Sequence, residues 1–373
     1  MNFTSDNRYE RSFYLGANTC NGFVSLYREF IDDFITSSDD AFAYIIKGGP
    51  GTGKSTFIKK VYSVLLENGF SDTVVLKCSG DPESLDGVAS EKAGVLVCDG
   101  TAPHTLDASL PGINAAVINF SDFWSTKKLR ENKADIIHLG EVKSRSYKEA
   151  YNMLKIAGNI RKSASDLYNY SNFKDILNDK IEISVYDILD YYGVRIGKGK
   201  FTKLFVSAIT SSGLSGSHAE TIGNDFSDYT VFEFAVPFGM SLYNEMDYIA
   251  SRFCASGYDV VGAVDYFTGA GLIHVYIPEI KCAFVTKYKD GRDYEGYINT
   301  DMLSITENND QIVNYKILYD EYVLKAEYLL GKATEAHKSM EKYYVDAMDF
   351  EALNQYTEKI INDIKNQIKF KIK

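Results

Sequence analysis

Residues 48–56 read GGPGTGKST and fit the pattern G-x-x-x-x-G-K-[ST] of a phosphate-binding loop. Glycine lacks a Cβ, so such a loop can turn through positive φ angles and direct several backbone N–H groups at one anion. The Lys54 ammonium would contact the β- and γ-phosphates, and the Ser55 hydroxyl would bind the accompanying Mg²⁺. The predicted nucleotide-binding residues are Gly48, Gly49, Pro50, Gly51, Thr52, Gly53, Lys54, Ser55 and Thr56.

Three carboxylates are candidates to act beside this loop. Asp99 follows the apolar run 94–98 and is the predicted second Mg²⁺ ligand, together with Ser55. Asp81 and Glu83 follow a predicted strand over 73–78, at the strand edge where α/β sheets bind ligands. Either one could orient a water or take a proton from an acceptor. The alternative is that the sequence DPES only forms a turn. The predicted catalytic residues are therefore Lys54, Asp81, Glu83 and Asp99.

The elements needed to position the loop are present in the right order. The segment Phe42 to Ile46 is a short apolar run, which predicts a buried parallel strand. Apolar residues recur at helical spacing after the loop, at Phe57, Ile58, Val61 and Leu65. A strand, a loop and a helix follow one another as a phosphate site requires.

The second half of the chain reads as an altered copy of the first. Phe13 to Thr19 aligns with Leu204 to Thr210 at a shift of 191, and later segments align at a shift of 188. At that shift Gly53, Lys54 and Ser55 become Ser241, Leu242 and Tyr243, and Asp99 becomes Lys287. We therefore predict an active repeat over 1–195 and a degenerate repeat over 196–373 that lacks both phosphate-binding motifs. The alternative is two unrelated α/β domains.

Each repeat is predicted to end in long amphipathic helices, over 147–170 and over 314–367 with a break near Asp349. Such helices could form a hairpin beside a sheet or the face of a homo-oligomer. The first of them lies in a basic stretch that is either a solvated surface or the source of a cation for the γ-phosphate. Its members are Lys127, Lys128, Arg130, Lys133, Lys143, Arg145, Lys148, Lys155, Arg161 and Lys162, with Arg130 and Arg145 as the first candidates.

Composition narrows the classes of function. A length of 373 residues suggests two domains, and a net charge of −11 argues against extensive nucleic-acid binding. Five cysteines without a CxxC spacing are typical of reduced thiols, which favours the cytoplasm. No apolar run reaches the length of a transmembrane segment.

Four motifs in order carry a resemblance to a known family: FYLGANT (13–19), KGGPGTGKST (47–56), DPESLDG (81–87) and DGTAPH (99–104). They resemble an uncharacterised family of two-repeat P-loop NTPases of Gram-positive bacteria, described as ATPase-like or nucleotide-kinase-like. The resemblance implies an α/β fold, a three-layer αβα P-loop NTPase sandwich duplicated in tandem, with ATP at residues 48–56. Many members keep a second P-loop, so residues 239–243 are a departure.

Three functions remain open at this point. The first is Mg²⁺-dependent ATP hydrolysis at one site in the first repeat. The second is a nucleotide or small-molecule kinase that transfers the γ-phosphate of ATP. The third is a regulatory module that binds ATP without turnover. Each implies an unidentified protein or small-molecule partner.

Overall fold

The protein is described from a computed structural model that covers residues 11–108, 110–168, 171–288, 310–369 and 371. It is a mixed α/β structure whose two main sheets contain both parallel and antiparallel strand pairs. The elements of the first half are β1 (Ser12–Tyr14), β2 (Gly16–Thr19), β3 (Gly22–Ser25), α1 (Tyr27–Thr36), β4 (Phe42–Lys47), α2 (Lys54–Glu67), β5 (Val74–Lys77), β6 (Leu85–Ser90), β7 (Val95–Asp99), β8 (Ala115–Asn119), α3 (Thr126–Glu131), α4 (Lys133–Ser165) and α5 (Ser171–Tyr192).

The second half repeats much of this order. Its elements are β9 (Phe201–Leu204), β10 (Ala208–Thr210), β11 (Gly213–Ser215), α6 (His218–Ile222), β12 (Thr230–Val236), α7 (Tyr243–Ala255), β13 (Val260–Val264), β14 (Leu272–Ile277), β15 (Cys282–Tyr288), α8 (Asp310–Ala347) and α9 (Phe350–Lys369). The helix break predicted near Asp349 lies between α8 and α9. Among the described residues, no helix is long and apolar enough to cross a membrane.

The two main sheets have the same strand order. The first runs β1-β5-β6-β7-β4-β8, and the second runs β9-β13-β14-β15-β12. In each sheet one strand, β6 or β14, is antiparallel to its neighbours, while the other pairs are parallel. The hairpins β2-β3 and β10-β11 follow the first strand of each sheet. The part of the chain that the structure describes contains no counterpart of β8 in the second sheet.

The two sheets are joined by one bridge between the last residue of β1 and the residue that follows β9. The Tyr14 N–H donates to the Phe205 carbonyl at 3.0 Å, and the Phe205 N–H donates back to the Tyr14 carbonyl at 2.9 Å. The sequence alignment at a shift of 191 makes these two residues counterparts of each other. An antiparallel bridge between counterparts has the local symmetry of a twofold interface, here within one chain.

Strand pairing corrects one detail of the predicted alignment. Asp99 pairs with Ile46 of β4, and Phe234, the counterpart of Ile46, pairs with Thr286. The residue that takes the place of Asp99 is therefore Thr286, and the predicted Lys287 is wrong by one position. Leu76 lies seven positions after Gly69, whereas its counterpart Ala263 lies six positions after Gly257, so one residue is missing between α7 and β13 and every later strand is shifted. A threonine still provides no carboxylate at this position.

Each half completes its core with a helix from the other half. Helix α9 packs Leu353, Ile360, Ile361, Ile364 and Ile368 into the core formed by β4, β7 and α2. Helix α5 packs Leu177, Ile181, Val185 and Leu189 into the core of the second sheet. Burying an aliphatic side chain of this size contributes about 1.5–3 kcal/mol, so the exchange links the segments 1–195 and 196–373 strongly. Helices α4 and α8 lie along each other and carry this crossover.

Candidate functional site

The glycine-rich loop joins the end of β4 to the start of α2, which begins at Lys54. Gly51 has φ +66° and Gly53 has φ +87°, a conformation that strains residues with a side chain. The Thr52 hydroxyl donates to the Gly49 carbonyl at 2.9 Å and closes the turn. The loop therefore brings backbone N–H groups and the positive end of the α2 dipole to one place, as an anion site requires.

Lys54 lies over the loop. Its ammonium donates to the carbonyls of Gly48 at 2.9 Å and Gly49 at 2.8 Å, and it lies 3.6 Å from a carboxylate oxygen of Asp99. The Ser55 hydroxyl accepts a hydrogen bond from the Leu85 N–H at 3.1 Å. Helix α2 and the strand β7 thus bring a cation, a hydroxyl and a carboxylate to the same cavity.

Asp99 ends β7, the strand beside β4. The Thr101 N–H and hydroxyl donate to one of its oxygens at 2.8 and 2.6 Å. Burial raises the pKa of Asp99, while Lys54 and the two Thr101 hydrogen bonds act in the opposite direction. The second carboxylate oxygen faces the Lys54 ammonium.

Asp81 and Glu83 lie in a turn, as the alternative interpretation of DPES predicts. The Ser84 N–H donates to the Asp81 carbonyl at 2.9 Å, and the Glu83 N–H donates to the Asp81 carboxylate at 3.3 Å. Asp81 lines the cavity next to the loop. Glu83 does not line it, since its side chain is 84% exposed and pairs with Lys338 of α8 at 3.2 Å.

The loop forms one end of a cavity of about 870 Å³. Two long helices supply the wall opposite the loop, through Lys143, Tyr147 and Tyr151 of α4 and Thr334, His337, Glu341 and Val345 of α8. Of these residues only Lys143 belongs to the basic stretch that could supply a cation for the γ-phosphate, and the first candidates from that stretch, Arg130 and Arg145, do not line the cavity. The basic stretch along α4 was the sequence signal for this wall, but it did not indicate which of its cations faces the cavity.

Helix α8 also touches the loop directly. A Cβ built on Gly51 would lie 2.9 Å from a methyl carbon of Val345 and 3.0 Å from the Glu341 carbonyl oxygen. A Cβ on Gly49 would lie 3.0 Å from the Tyr344 ring and 3.1 Å from the Trp124 ring. Glycine is therefore needed here for close packing as well as for backbone conformation.

Three titratable side chains connect the helices to the loop. The Lys143 ammonium lies 2.9 Å from Nδ1 of His337, and Nε2 of His337 lies 3.6 Å from the Glu341 carboxylate. Burial and the nearby Lys143 and Lys54 lower the pKa of His337 to about 4. Burial raises the pKa of Glu341, although the Gly51 N–H that donates toward its carboxylate acts against this.

The inner wall of the cavity contains a buried pair, His104 and Asp86. Nε2 of His104 lies 3.0 Å from the Asp86 carboxylate, and both side chains are more than nine-tenths buried. The rings of Phe23 and Tyr27 pack against the imidazole. This pair fixes the loop after β7 against β6.

The corresponding place in the second half is filled by side chains. Gly239 keeps a positive φ of +92°, but a Cβ on it would lie 2.9 Å from the Arg161 carbonyl oxygen of α4. Arg161 forms a buried ion pair with Asp265 at 3.0 Å. The Tyr243 hydroxyl donates to the same carboxylate, and its ring lies against Gly271. A tyrosine and an ion pair thus occupy the space that the first half leaves open.

No group of three or more His, Cys, Asp or Glu side chains among the described residues is arranged to hold a metal ion. Nucleotide-bound Mg²⁺ needs only one or two protein oxygens, and Ser55 and Asp99 are oxygen donors of the right kind at the loop. Comparisons with known protein families, with curated proteins and with solved structures gave no match.

Proposed function

We propose that the chain binds ATP with Mg²⁺ at residues 48–56 and hydrolyses it. The observation that carries this proposal is the position of Lys54, the first residue of α2, over a loop with two left-handed glycines and 3.6 Å from Asp99 on the neighbouring strand. A turn that only connects a strand to a helix does not require these features together. Together these features support a P-loop NTPase site.

The residues have separate roles in this proposal. The loop N–H groups and Lys54 bind the phosphates and stabilise the charge that develops during transfer. Ser55 and Asp99 would hold Mg²⁺, which would supply positive charge beside the phosphates. Asp81 lines the cavity and is the carboxylate that can orient a water.

The repeated strand order supports a duplicated P-loop NTPase sandwich of which only the first copy binds nucleotide. Tyr243 and the Arg161–Asp265 pair fill the second copy, so we expect one ATP per chain. We place the protein in the cytoplasm and in the two-repeat P-loop family that its motifs resemble.

A kinase is the second candidate, and the size of the cavity favours it. The cavity continues past the loop to Asn18, Tyr147 and Tyr151, and the Tyr151 hydroxyl donates to Asn18 at 2.9 Å. This wall of aromatic and amide groups could hold an acceptor beside Asp81.

The test is the substitution Lys54→Ala with Lys60→Ala as its control, because Lys60 lies on the same helix, is exposed and does not line the cavity. Loss of charge-assisted hydrogen bonds worth about 1.5–3 kcal/mol should weaken Mg-ATP about tenfold or more in calorimetry. Unchanged affinity in Lys54→Ala would refute the assignment. Phosphate release without added acceptor indicates an ATPase, acceptor-dependent product a kinase, and binding with neither a sensor.

A further inference from the structure

One cation of α4 faces the cavity, while its neighbours face solvent. Lys143 is half-buried and lines the cavity, whereas Arg145, Lys148 and Lys155 on the same helix are exposed. Among the described residues, no carboxylate lies within ion-pair distance of Lys143. Its contact is Nδ1 of His337 at 2.9 Å. A half-buried ammonium without a counter-ion favours an anion in the same cavity.

The protonation of His337 fixes the direction of the contacts. Because its pKa is lowered to about 4, the imidazole is neutral at pH 7. Lys143 can only donate, so Nδ1 accepts and Nε2 carries the hydrogen. That hydrogen faces the Glu341 carboxylate, 3.6 Å away. Burial and the nearby Lys54 lower the pKa of Lys143 as well.

Glu341 ends this series of contacts at the phosphate-binding loop. The Gly51 N–H donates toward its carboxylate, and a Cβ on Gly51 would lie 3.3 Å from the Glu341 Cβ. A carboxylate therefore lies against a loop N–H group of the kind that binds phosphate oxygens. A phosphate oxygen that accepts from this N–H group would take the place of the carboxylate, next to His337 and Lys143.

We propose that Lys143 determines specificity for nucleoside triphosphate over diphosphate: the γ-phosphate takes the place of the Glu341 carboxylate and receives the Lys143 ammonium. The inference rests on the proposed nucleotide site and adds to it. It also makes the site composite, since α4 comes from the first half of the chain and the displaced Glu341 comes from the second.

The experiment measures affinities of the full chain for ADP and for the non-hydrolysable triphosphate AMP-PNP, both with Mg²⁺, by calorimetry. Lys143→Met should weaken AMP-PNP about tenfold or more, the effect of one lost charge-assisted contact. It should leave ADP within about twofold, because ADP lacks the phosphate that Lys143 contacts. Lys148→Met, an exposed lysine of the same helix, is the matched control and should change neither affinity.

Glu341→Gln is the second variant. Removing the competing negative charge should tighten AMP-PNP severalfold or more and change ADP less. The unchanged ADP affinity of Lys143→Met also shows that the variant is folded.

The outcomes separate the two proposals. A wild-type chain that binds neither nucleotide overturns the proposed function and this inference with it. A wild-type chain that binds both, with Lys143→Met losing ADP and AMP-PNP equally or losing neither, overturns the inference alone. Weaker AMP-PNP binding by Glu341→Gln also overturns it, because Glu341 would then assist the triphosphate.

Discussion

Replacing Gly51 with alanine is expected to lower the free energy of unfolding by about 2–5 kcal/mol, from two separate costs. A side chain at φ +66° costs about 1–2 kcal/mol in backbone strain. The new Cβ would also lie 2.9 Å from a Val345 methyl carbon and 3.0 Å from the Glu341 carbonyl oxygen. Overpacking of this kind typically costs about 1–3 kcal/mol.

Gly53 is the matched control. It has a similar backbone conformation, φ +87°, but a Cβ there would meet its nearest neighbours, in Leu353 and Phe350, at 3.6 and 3.8 Å. These are ordinary contact distances, so Gly53→Ala should cost only the strain of about 1–2 kcal/mol. The difference of about 1–3 kcal/mol between the two variants measures how closely α8 packs on the loop.

Urea unfolding of the full chain, followed by circular dichroism, gives both values at a common denaturant slope. Adding Val345→Ala to Gly51→Ala removes the nearest methyl group and should recover part of the loss, which a double-mutant cycle detects. Equal destabilisation by Gly51→Ala and Gly53→Ala would falsify the packing of α8 against the loop. So would the absence of any coupling between positions 51 and 345.

Two further predictions concern the interior of the second half, to which α4 of the first half contributes Arg161. Arg161→Met should lower the free energy of unfolding by about 3–5 kcal/mol, because Asp265 would stay buried without its cation. The control Lys162→Met changes an exposed lysine and should cost less than about 0.5 kcal/mol. Equal effects of the two variants in urea unfolding would contradict the ion pair that fills the second site. Burial lowers the pKa of His218 to about 3. The folded-state pKa lies below the unfolded value of about 6.5, so the contribution of neutral His218 to the free energy of unfolding is complete above pH 6.5. As the pH falls, protonation favours the unfolded chain, and the free energy of unfolding decreases by up to about 3 kcal/mol by pH 4. His218→Gln should flatten the dependence of the urea midpoint on pH between 6.5 and 4, and an unchanged slope would contradict the burial argument.

The local part of the site was predictable from the sequence because neighbouring residues determine it. The spacing of Gly51, Gly53 and Lys54 after an apolar run predicts a strand, a tight loop and a helix, and the structure has them at β4, residues 48–53 and α2. The α/β class follows from the same alternation and is confirmed. The predicted roles of Asp81, Glu83 and Asp99 stay predictions.

The far wall of the site could not be predicted. His337 and Glu341 are nearly three hundred residues away from the loop, and an amphipathic pattern shows that a helix has a buried face without naming what covers it. The packing of α5 and α9 in the cores of the opposite halves could not be predicted for the same reason. The position of Thr286 was missed because a one-residue deletion in a turn leaves no mark when few identities define the alignment.

The exchange of helices also sets an order for synthesis of the protein. The buried core that contains Ile58, Val61 and Leu65 of α2 is completed by Ile360 and Ile364 of α9. A ribosome adding about 5–20 residues per second would need on the order of 15–60 s to make the roughly 300 residues between them. During that time the newly made first half has an uncovered hydrophobic surface. We expect this interval to be the stage of biogenesis at which the chain depends most on chaperones.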